Sequence, residues 1–222
     1  MTRIRAFPVF AVVATGLAQQ TVSFPAQDGG LVYADLYGKG EQAVVLAHGG
    51  RFNKESWAKQ ARELAGAGYR VAAIDFRGYG KSTGPGRTDP LGAPLHWDVL
   101  GAVRYLKSHG AKTVSVVGGS MGGGAAADAA IAAPGEIDRL VLLGTGPNAN
   151  AERLSSPMLI IVARDDKDGP EPRLIGIREQ YDKAPGPKEL IVLEGSAHAQ
   201  ALFETADGER VMREILRFLA AR

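Results

Sequence analysis

The feature that most constrains the fold of this chain is a run of β-branched residues that ends directly in glycine. Residues 114–117 read Val-Ser-Val-Val, and residues 118–124 read Gly-Gly-Ser-Met-Gly-Gly-Gly before a row of alanines. This pattern predicts a strand that turns into a helix with almost no loop, because β-branched residues favour strands and glycines allow a close approach of two backbones. A strand followed at once by a helix is typical of α/β architecture.

Strand and helix patterns alternate from residue 43 to the end of the chain. Buried strands are predicted at residues 43–47, 69–74, 113–117, 139–143, 158–162 and 189–193, and helices at 55–67, 95–108, 121–133, 172–183 and 209–220. The alternation predicts a mainly parallel central sheet with helices on both faces. Two earlier strand patterns, 21–25 and 31–37, surround a turn at Asp28-Gly29-Gly30, which predicts an antiparallel hairpin at the N-terminal edge.

The composition excludes several classes of function. The chain has 222 residues, enough for one domain, which we assign to residues 19–222. Its formal net charge is only +2, so the charge provides no argument for a nucleic-acid partner. It has no cysteine, and its four histidines form no H-x-x-x-H pair. We therefore expect neither a metal nor a cofactor.

The first eighteen residues have the layout of a secretory signal. Residues 2–5 are basic, residues 6–18 are almost wholly apolar, and small residues stand at Gly16 and Ala18. This layout predicts export to the periplasm or the medium. The alternative is a first strand or an apolar segment packed on the core, with a cytoplasmic location. Since no later segment has transmembrane character, we expect no stable membrane insertion.

The strand-to-helix turn also carries a chemical pattern. Residues 118–122 fit G-x-S-x-G, which is typical of the nucleophile turn of serine hydrolases. Such a turn projects the Ser120 hydroxyl from the end of the sheet, and the N-terminus of the following helix favours developing negative charge. The alternative interpretation is a glycine-rich turn with a capping serine. A nucleophile at Ser120 requires a base, an acid and a second oxyanion donor elsewhere in the chain.

Candidates for these groups follow other predicted strands, where the ligands of parallel sheets bind. His198 comes after the last strand and is the predicted base, whereas the ring of His48 is expected to support the loop that follows it. No acidic residue occurs in residues 144–148. The acid is therefore expected from the next loop along the chain, which offers Asp165, Asp166 and Asp168.

Taken together, these segments resemble the α/β-hydrolase fold serine hydrolases over residues 20–220. The segments that carry the resemblance are His-Gly-Gly at 48–50, Asp-Phe-Arg-Gly-Tyr-Gly-Lys-Ser at 75–82, Gly-Gly-Ser-Met-Gly at 118–122, the acidic loop before Pro170, and Gly-Ser-Ala-His at 195–198. The chain order of nucleophile, acid and base is also that of the family.

The resemblance implies roles for particular residues. The acid loop of the family often reads Gly-x-x-Asp with a later proline, which selects Asp166. Because Ala163 stands in place of the usual glycine, Asp165 is the runner-up. The oxyanion donors implied are the backbone N–H groups of Met121 and Gly50, with Arg51 as the alternative to Gly50.

The activity expected from this resemblance is hydrolysis of carboxylic esters of small, accessible molecules through an acyl-enzyme. Only about fifteen residues separate the predicted strands at 139–143 and 158–162, so no cap domain is expected. Perhydrolase or cofactor-free haloperoxidase activity on the same triad is one alternative, and a non-catalytic binding protein is another. Asp75 is expected to shape the floor of the site, and Arg77 or Arg51 to be a candidate contact for an acidic substrate.

Overall fold

The computed structural model describes residues 20–86 and 92–221, and its centre is an eight-stranded sheet. The predicted signal segment at 1–18 lies outside the described residues. The strands are β1 (Gln20–Pro25), β2 (Leu31–Tyr37), β3 (Gln42–Ala47), β4 (Arg70–Asp75), β5 (Thr113–Gly119), β6 (Leu140–Leu143), β7 (Met158–Ala163) and β8 (Lys188–Leu193). Their order across the sheet is β1-β2-β4-β3-β5-β6-β7-β8.

The direction of the strands changes at one edge of the sheet. β1 pairs antiparallel with β2, and β2 pairs antiparallel with β4. Every other neighbouring pair, from β4-β3 to β7-β8, is parallel. This arrangement confirms the predicted parallel sheet with an antiparallel N-terminal hairpin, and it brings the carboxyl ends of β3 to β8 to a single edge.

Helices cover both faces of the sheet, as predicted. They are α1 (Ala58–Gly66), α2 (His96–Ser108), α3 (Met121–Ala132), α4 (Arg173–Lys183) and α5 (Gly208–Ala220), with 3-10 segments at Lys54–Trp57, Ala151–Arg153 and Ala199–Glu204. α1 and α5 pack on one face, and α2, α3 and α4 contribute to the core on the other. None of these described helices is both long enough and apolar enough to span a membrane.

The central strands are apolar on both sides because each face is covered. In β3, Val44 packs into the core beneath α1, whereas its neighbour Val45 packs into the core beneath α2 and α3. Both valines are fully buried. Complete burial of a side chain of this size contributes about 1.5–3 kcal/mol, which explains why β3 reads as a continuous apolar run.

The connection between β6 and β7 is short, as predicted. Residues 144–157 are all described, and their only regular structure is the 3-10 turn Ala151–Arg153. No cap domain is inserted at this point of the chain. Residues 144–157 therefore place no inserted domain over the carboxyl ends of β6 and β7.

The glycines around Ser120 allow α3 to approach the sheet closely. A Cβ atom added at Gly118 would lie 2.5 Å from the carbonyl oxygen of Gly122. A Cβ added at Gly122 would collide with the carbonyl oxygen of Ala47 at the end of β3. Both neighbours are backbone atoms, which cannot rotate away as a side chain can. The first turn of α3 therefore rests directly on the ends of β5 and β3.

A buried arginine ties the N-terminal hairpin to the loop after β4. Arg77 is fully buried, and its Nη1 donates to Asp28 Oδ2 at 2.5 Å in the turn between β1 and β2. Its Nη2 donates to Asp98 Oδ1 at 2.6 Å, on α2. The hydrogen bonds from Arg77 hold the pKa of the Asp28 carboxyl below its usual value. Because both carboxylates pair with one guanidinium, the loop after β4 has a defined position beside the site.

Two glycine-to-alanine substitutions in helices should have opposite effects on stability. We predict that Gly122→Ala lowers the free energy of unfolding by about 1–3 kcal/mol, because its methyl group meets backbone at Ala47. Gly176→Ala in α4 should raise it by about 0.5–1 kcal/mol, because no atom lies within 4 Å of the added Cβ. Urea denaturation of both variants measures the two changes. A Gly122→Ala protein as stable as the wild type would contradict the close packing described here.

Candidate active site

Ser120 occupies a strained position between β5 and α3. Its backbone angles are φ 50 and ψ −117, a conformation that residues with a side chain rarely adopt. Its N–H donates to the carbonyl of Leu143 at 2.9 Å, which fixes the turn against β6. Strain of this kind costs about 1–3 kcal/mol and is concentrated at functional sites. The predicted strand-to-helix turn is therefore present, with Ser120 at its apex.

The structure brings the three residues of the predicted triad together. The Nε2 atom of His198 lies 2.8 Å from Ser120 Oγ, and its Nδ1 atom lies 2.7 Å from Asp166 Oδ2. At these distances, hydrogen bonds connect the hydroxyl of Ser120 to the imidazole of His198 and the imidazole to the carboxylate of Asp166. In that arrangement the carboxylate orients the ring, and the free ring nitrogen faces the hydroxyl proton.

The geometry distinguishes among the three aspartates of the acidic loop. Asp166 is 1% exposed and contacts His198, whereas Asp165 is exposed. Asp168 is also exposed and pairs with Arg173, whose Nη2 lies 3.0 Å from Asp168 Oδ2. Only Asp166 is therefore placed to act on the imidazole, in line with the assignment based on the family loop.

Arg173 supports the acid from the start of α4. Its backbone N–H donates to the carbonyl of Asp166 at 2.8 Å, and its Nε lies 3.4 Å from Asp166 Oδ1. Sequence reasoning missed this contact, because a lone arginine before a predicted helix carries no signal of its own. Arg173 closes the loop that presents Asp166 to the histidine.

The two predicted oxyanion donors lie beside the serine. Gly50 and Met121 line a cavity of about 470 Å³ together with Ser120 and His198. Neither N–H donates to another group within residues 20–86 and 92–221. Free backbone N–H groups next to the predicted nucleophile suit the stabilisation of an oxyanion. Arg51 lines the same cavity, so it stays the alternative to Gly50.

Side chains from distant parts of the chain hold the loop that contains Gly50. The Oε1 atom of Gln200 accepts from the N–H of Gly49 at 2.8 Å, and its Nε2 donates to Ser56 Oγ at 2.6 Å. The hydroxyl of Tyr79 donates to the carbonyl of Gly50 at 2.8 Å. Sequence reasoning missed both positioning residues. The only available signal for Gln200 was its place two residues after the predicted base.

His48 supports the same loop from inside the protein. The ring is fully buried, its Nδ1 lies 2.9 Å from the carbonyl oxygen of Gly49, and the N–H of Phe76 donates to its Nε2 at 3.3 Å. These partners require a neutral ring with its proton on Nδ1. Burial lowers the pKa of the His48 imidazole. The expectation that His48 holds the loop agrees with these contacts.

Glycine is required where β6 ends, in the space between base and acid. Gly144 has φ 64, and a Cβ atom there would lie 3.0 Å from His198 Nδ1 and 3.1 Å from Asp166 Oδ2. A side chain at this position would displace the bond between imidazole and carboxylate. An acidic side chain at position 144 is therefore disfavoured on steric grounds.

The residues of the loop after β4 are structural. Asp75 is buried and its Oδ1 accepts from the backbone N–H of Lys54 at 2.9 Å, in keeping with the expected role in the floor of the site. Arg77 is fully buried in the ion pairs described above, which excludes it as a contact for an acidic substrate. Arg51 is exposed at the cavity and remains a candidate for that contact.

Two cavities meet at the serine. The first is the cavity lined by Gly50, Arg51 and His198. The second is also about 470 Å³ and lies towards α2 and α3, where Leu95 and Asp128 line it. Ser120, Met121, Asp168 and Arg173 line both cavities. The described residues contain no group of three or more His, Asp or Glu placed to hold a metal ion.

The comparisons with known proteins agree with the fold and the residue pattern. A family model described as alpha/beta hydrolase fold matches residues 42–174. The chain belongs to this family. An esterase from Pyrococcus furiosus superposes with a TM-score of 0.75 at 19% identity, covering 98% of both chains. An esterase from Exiguobacterium antarcticum gives a TM-score of 0.71 at 17% identity, covering 91% of this chain and 100% of that one. At such low identity these likenesses establish the fold.

Curated relatives of this α/β hydrolase carry the name 2-hydroxy-6-oxononadienedioate/2-hydroxy-6-oxononatrienedioate hydrolase. The Burkholderia vietnamiensis protein is 33% identical over 126 residues, which cover 54% of this chain and 42% of that protein. The Cupriavidus pinatubonensis protein is 36% identical over 123 residues, covering 52% of this chain and 40% of that protein. The aligned part is thus less than half the length of either relative.

Substitution of the acidic loop should separate the two aspartates by activity. We predict that Asp166→Asn lowers the kcat for ester hydrolysis roughly 10³–10⁴-fold, because an amide cannot keep the imidazole in the required tautomer. Asp165→Asn is the matched control and should change the kcat less than about twofold, because its exposed side chain does not touch His198. Steady-state kinetics on a short ester compares them, and a larger loss in Asp165→Asn would reverse the assignment.

Loss of the Gln200 side chain should disturb the loop at residues 49–52, which contains the predicted donor Gly50 and is called the oxyanion loop below. We predict that Gln200→Leu lowers kcat roughly tenfold with little change in KM, because the buried N–H of Gly49 loses its acceptor and the loop shifts. Ser56→Ala is the control, since it removes the other partner of Gln200 and leaves the bond to Gly49 intact. An equal loss of kcat in both variants would count against a specific role for the bond to Gly49.

Proposed function

We propose that this α/β hydrolase cleaves carboxylic esters of small, accessible molecules through an acyl-enzyme on Ser120. The observation that carries the proposal is the hydrogen-bonded chain from Ser120 Oγ through His198 to Asp166, at 2.8 and 2.7 Å. It lies beside two backbone N–H groups that have no partner among the described residues. A nucleophile, a base, an orienting acid and oxyanion donors are the groups that acyl transfer requires.

In the proposed first step, Ser120 Oγ attacks the acyl carbon and its proton passes to His198 Nε2. Asp166 stabilises the imidazolium that forms. The carbonyl oxygen becomes an oxyanion, and the N–H groups of Gly50 and Met121 donate to it. Donors of this kind each contribute about 3–4 kcal/mol to the transition state. The imidazolium then returns its proton to the departing alkoxide, which leaves as the alcohol.

In the second step, water releases the acyl group. His198 Nε2 takes a proton from the water, and the hydroxide attacks the acyl carbon of the serine ester. The oxyanion forms again in the same place, and collapse of the intermediate returns the proton to Ser120 Oγ. The products are a carboxylic acid and the free enzyme. All of the proton transfers in this scheme use His198.

The shape of the site supports substrates of modest size. The two cavities of about 470 Å³ that meet at Ser120 provide one space for the acyl part and one for the alcohol part. Residues 144–157 add no cap above the cavities. We therefore propose small esters that enter from solvent without movement of a helical lid.

A second candidate is the reaction named in the curated relatives, and the 33% identity over 126 residues favours it. Their name describes a compound with keto and carboxylate groups and no ester, so its hydrolysis breaks a carbon–carbon bond. Incubation with 2-hydroxy-6-oxononadienedioate, followed by absorbance and product analysis, tests this candidate. Turnover of this compound faster than of any short ester would replace the ester proposal.

Replacement of the nucleophile tests the leading proposal. We predict that Ser120→Ala lowers the hydrolysis of para-nitrophenyl acetate and butyrate by roughly 10⁴-fold or more and abolishes labelling by a fluorophosphonate probe. Ser196→Ala is the control, since Ser196 is exposed and lies two residues before His198. It should retain both activities. Labelling that persists in Ser120→Ala would refute the assignment, and a wild-type protein that neither reacts nor turns over esters would favour a binding function.

A further inference from the structure

The cavity beside the oxyanion loop holds two cations without an acidic partner. Arg51 and Lys167 both line the cavity that contains Ser120 and His198, and both are exposed. Neither forms an ion pair with any residue in the described part of the chain. The third cation that lines this cavity, Arg173, is paired with Asp166 and with Asp168, which also lines the cavity. An unpaired pair of cations in a substrate cavity indicates an anionic ligand.

Arg51 and Lys167 lie on the same two turns that carry the predicted oxyanion donor and the predicted acid. Arg51 is the third residue of a turn closed by a 3.0 Å bond from the N–H of Phe52 to the carbonyl of Gly49, one residue after the predicted donor Gly50. Lys167 follows the triad acid directly, and its backbone pairs with Pro172 across the acidic loop. Because both turns are held by backbone bonds, the two side chains start from fixed points of the backbone at the cavity that contains Ser120.

The second cavity has the opposite electrostatic character. Asp128 lines it and accepts from Asn148 Nδ2 at 2.9 Å, and no lysine or arginine other than Arg173 lines it. Arg173 is shared by both cavities and is already paired with Asp166 and Asp168. An anionic group is therefore attracted to the Arg51 side of Ser120 and repelled from the Asp128 side.

We propose that the natural substrate is an ester with a carboxylate group, and that this carboxylate binds between Arg51 and Lys167. The inference rests on the proposed function, because the same cavity contains the proposed nucleophile. The planar guanidinium of Arg51 suits bidentate contact with a carboxylate, and the ammonium of Lys167 adds a flexible point charge. These two residues are then specificity-determining residues and take no part in proton transfer.

Two matched pairs of esters test the preference, one for each half of the substrate. The acyl pair is the para-nitrophenyl monoester of glutaric acid against para-nitrophenyl pentanoate. The alcohol pair is para-acetoxybenzoate against para-acetoxybenzamide. We predict that kcat/KM favours the anionic member roughly tenfold in at least one pair, because hydrogen bonds to charged groups add to binding. The preference should shrink as salt rises, because exposed charges are screened.

A double variant and a matched control assign the preference to these residues. Arg51→Met with Lys167→Met should bring the ratio within each pair close to one. Arg62→Met with Lys183→Met removes the same two kinds of charge from exposed positions on α1 and α4 that line neither cavity. This control should keep the wild-type ratio, which separates a local site from the effect of net charge. The readout is the ratio of kcat/KM for the two esters of a pair. A general loss of activity lowers both values and leaves this ratio unchanged.

Binding to the Ser120→Ala protein keeps the inference testable without turnover. Calorimetry should show tighter binding of the anionic member than of the neutral member in at least one of the two pairs, and the Arg51→Met and Lys167→Met changes should remove the difference. Equal binding and equal kcat/KM within both pairs, or a preference that survives the double variant, would overturn the inference. A protein that hydrolyses neutral esters without a charge preference would overturn this inference alone. A protein that binds the anion and hydrolyses no ester would overturn the proposed function alone.

Discussion

The contact between the first turn of α3 and the end of β3 is the constraint on which the site depends. Because Gly122 has no side chain, α3 reaches the backbone of Ala47, and the chain reverses within the single residue Ser120 at φ 50. That short reversal leaves the hydroxyl at the end of the sheet, in front of the helix N-terminus. The strain is maintained because packing on both sides and the bond to Leu143 oppose its relaxation.

The order of the strands determines how the other groups reach the serine. β6 lies between the strand that carries Ser120 and the strand that carries Asp166, so base and acid have to meet above its end. Gly144 makes this possible, because any Cβ there would approach both His198 and Asp166. Asp166 therefore comes from the loop after β7, two strands from β5, which leads to Ser120. Gly144 at the end of β6 leaves space for the hydrogen bond between His198 and Asp166.

The oxyanion loop depends on neutral polar contacts, whereas the cavity in front of it is cationic. Gln200, Tyr79 and the neutral His48 ring hold the loop through its backbone, which leaves the N–H of Gly50 free. Arg51 and Lys167 lie on the two turns that flank this centre. Under the proposed function, this division separates stabilisation of the reacting atoms from recognition of the substrate, so Arg51 and Lys167 can be replaced without removal of a proposed proton-transfer group.

The sequence by itself predicted the strands and helices that the structure has, because periodicity and glycine spacing are local properties. Chain order indicated Ser120 and His198 as candidates and left three aspartates open, and only the resemblance to the family selected Asp166. The sequence did not separate Arg77 from Arg51, and it did not reveal Gln200, Tyr79 or Arg173. Those roles were decided by tertiary structure. Arg77 is buried because Asp28 and Asp98 converge on it from the hairpin turn and from α2. Gln200 and Gly49 are more than a hundred residues apart in the sequence. They form a hydrogen bond only because the sheet brings their loops to the same edge.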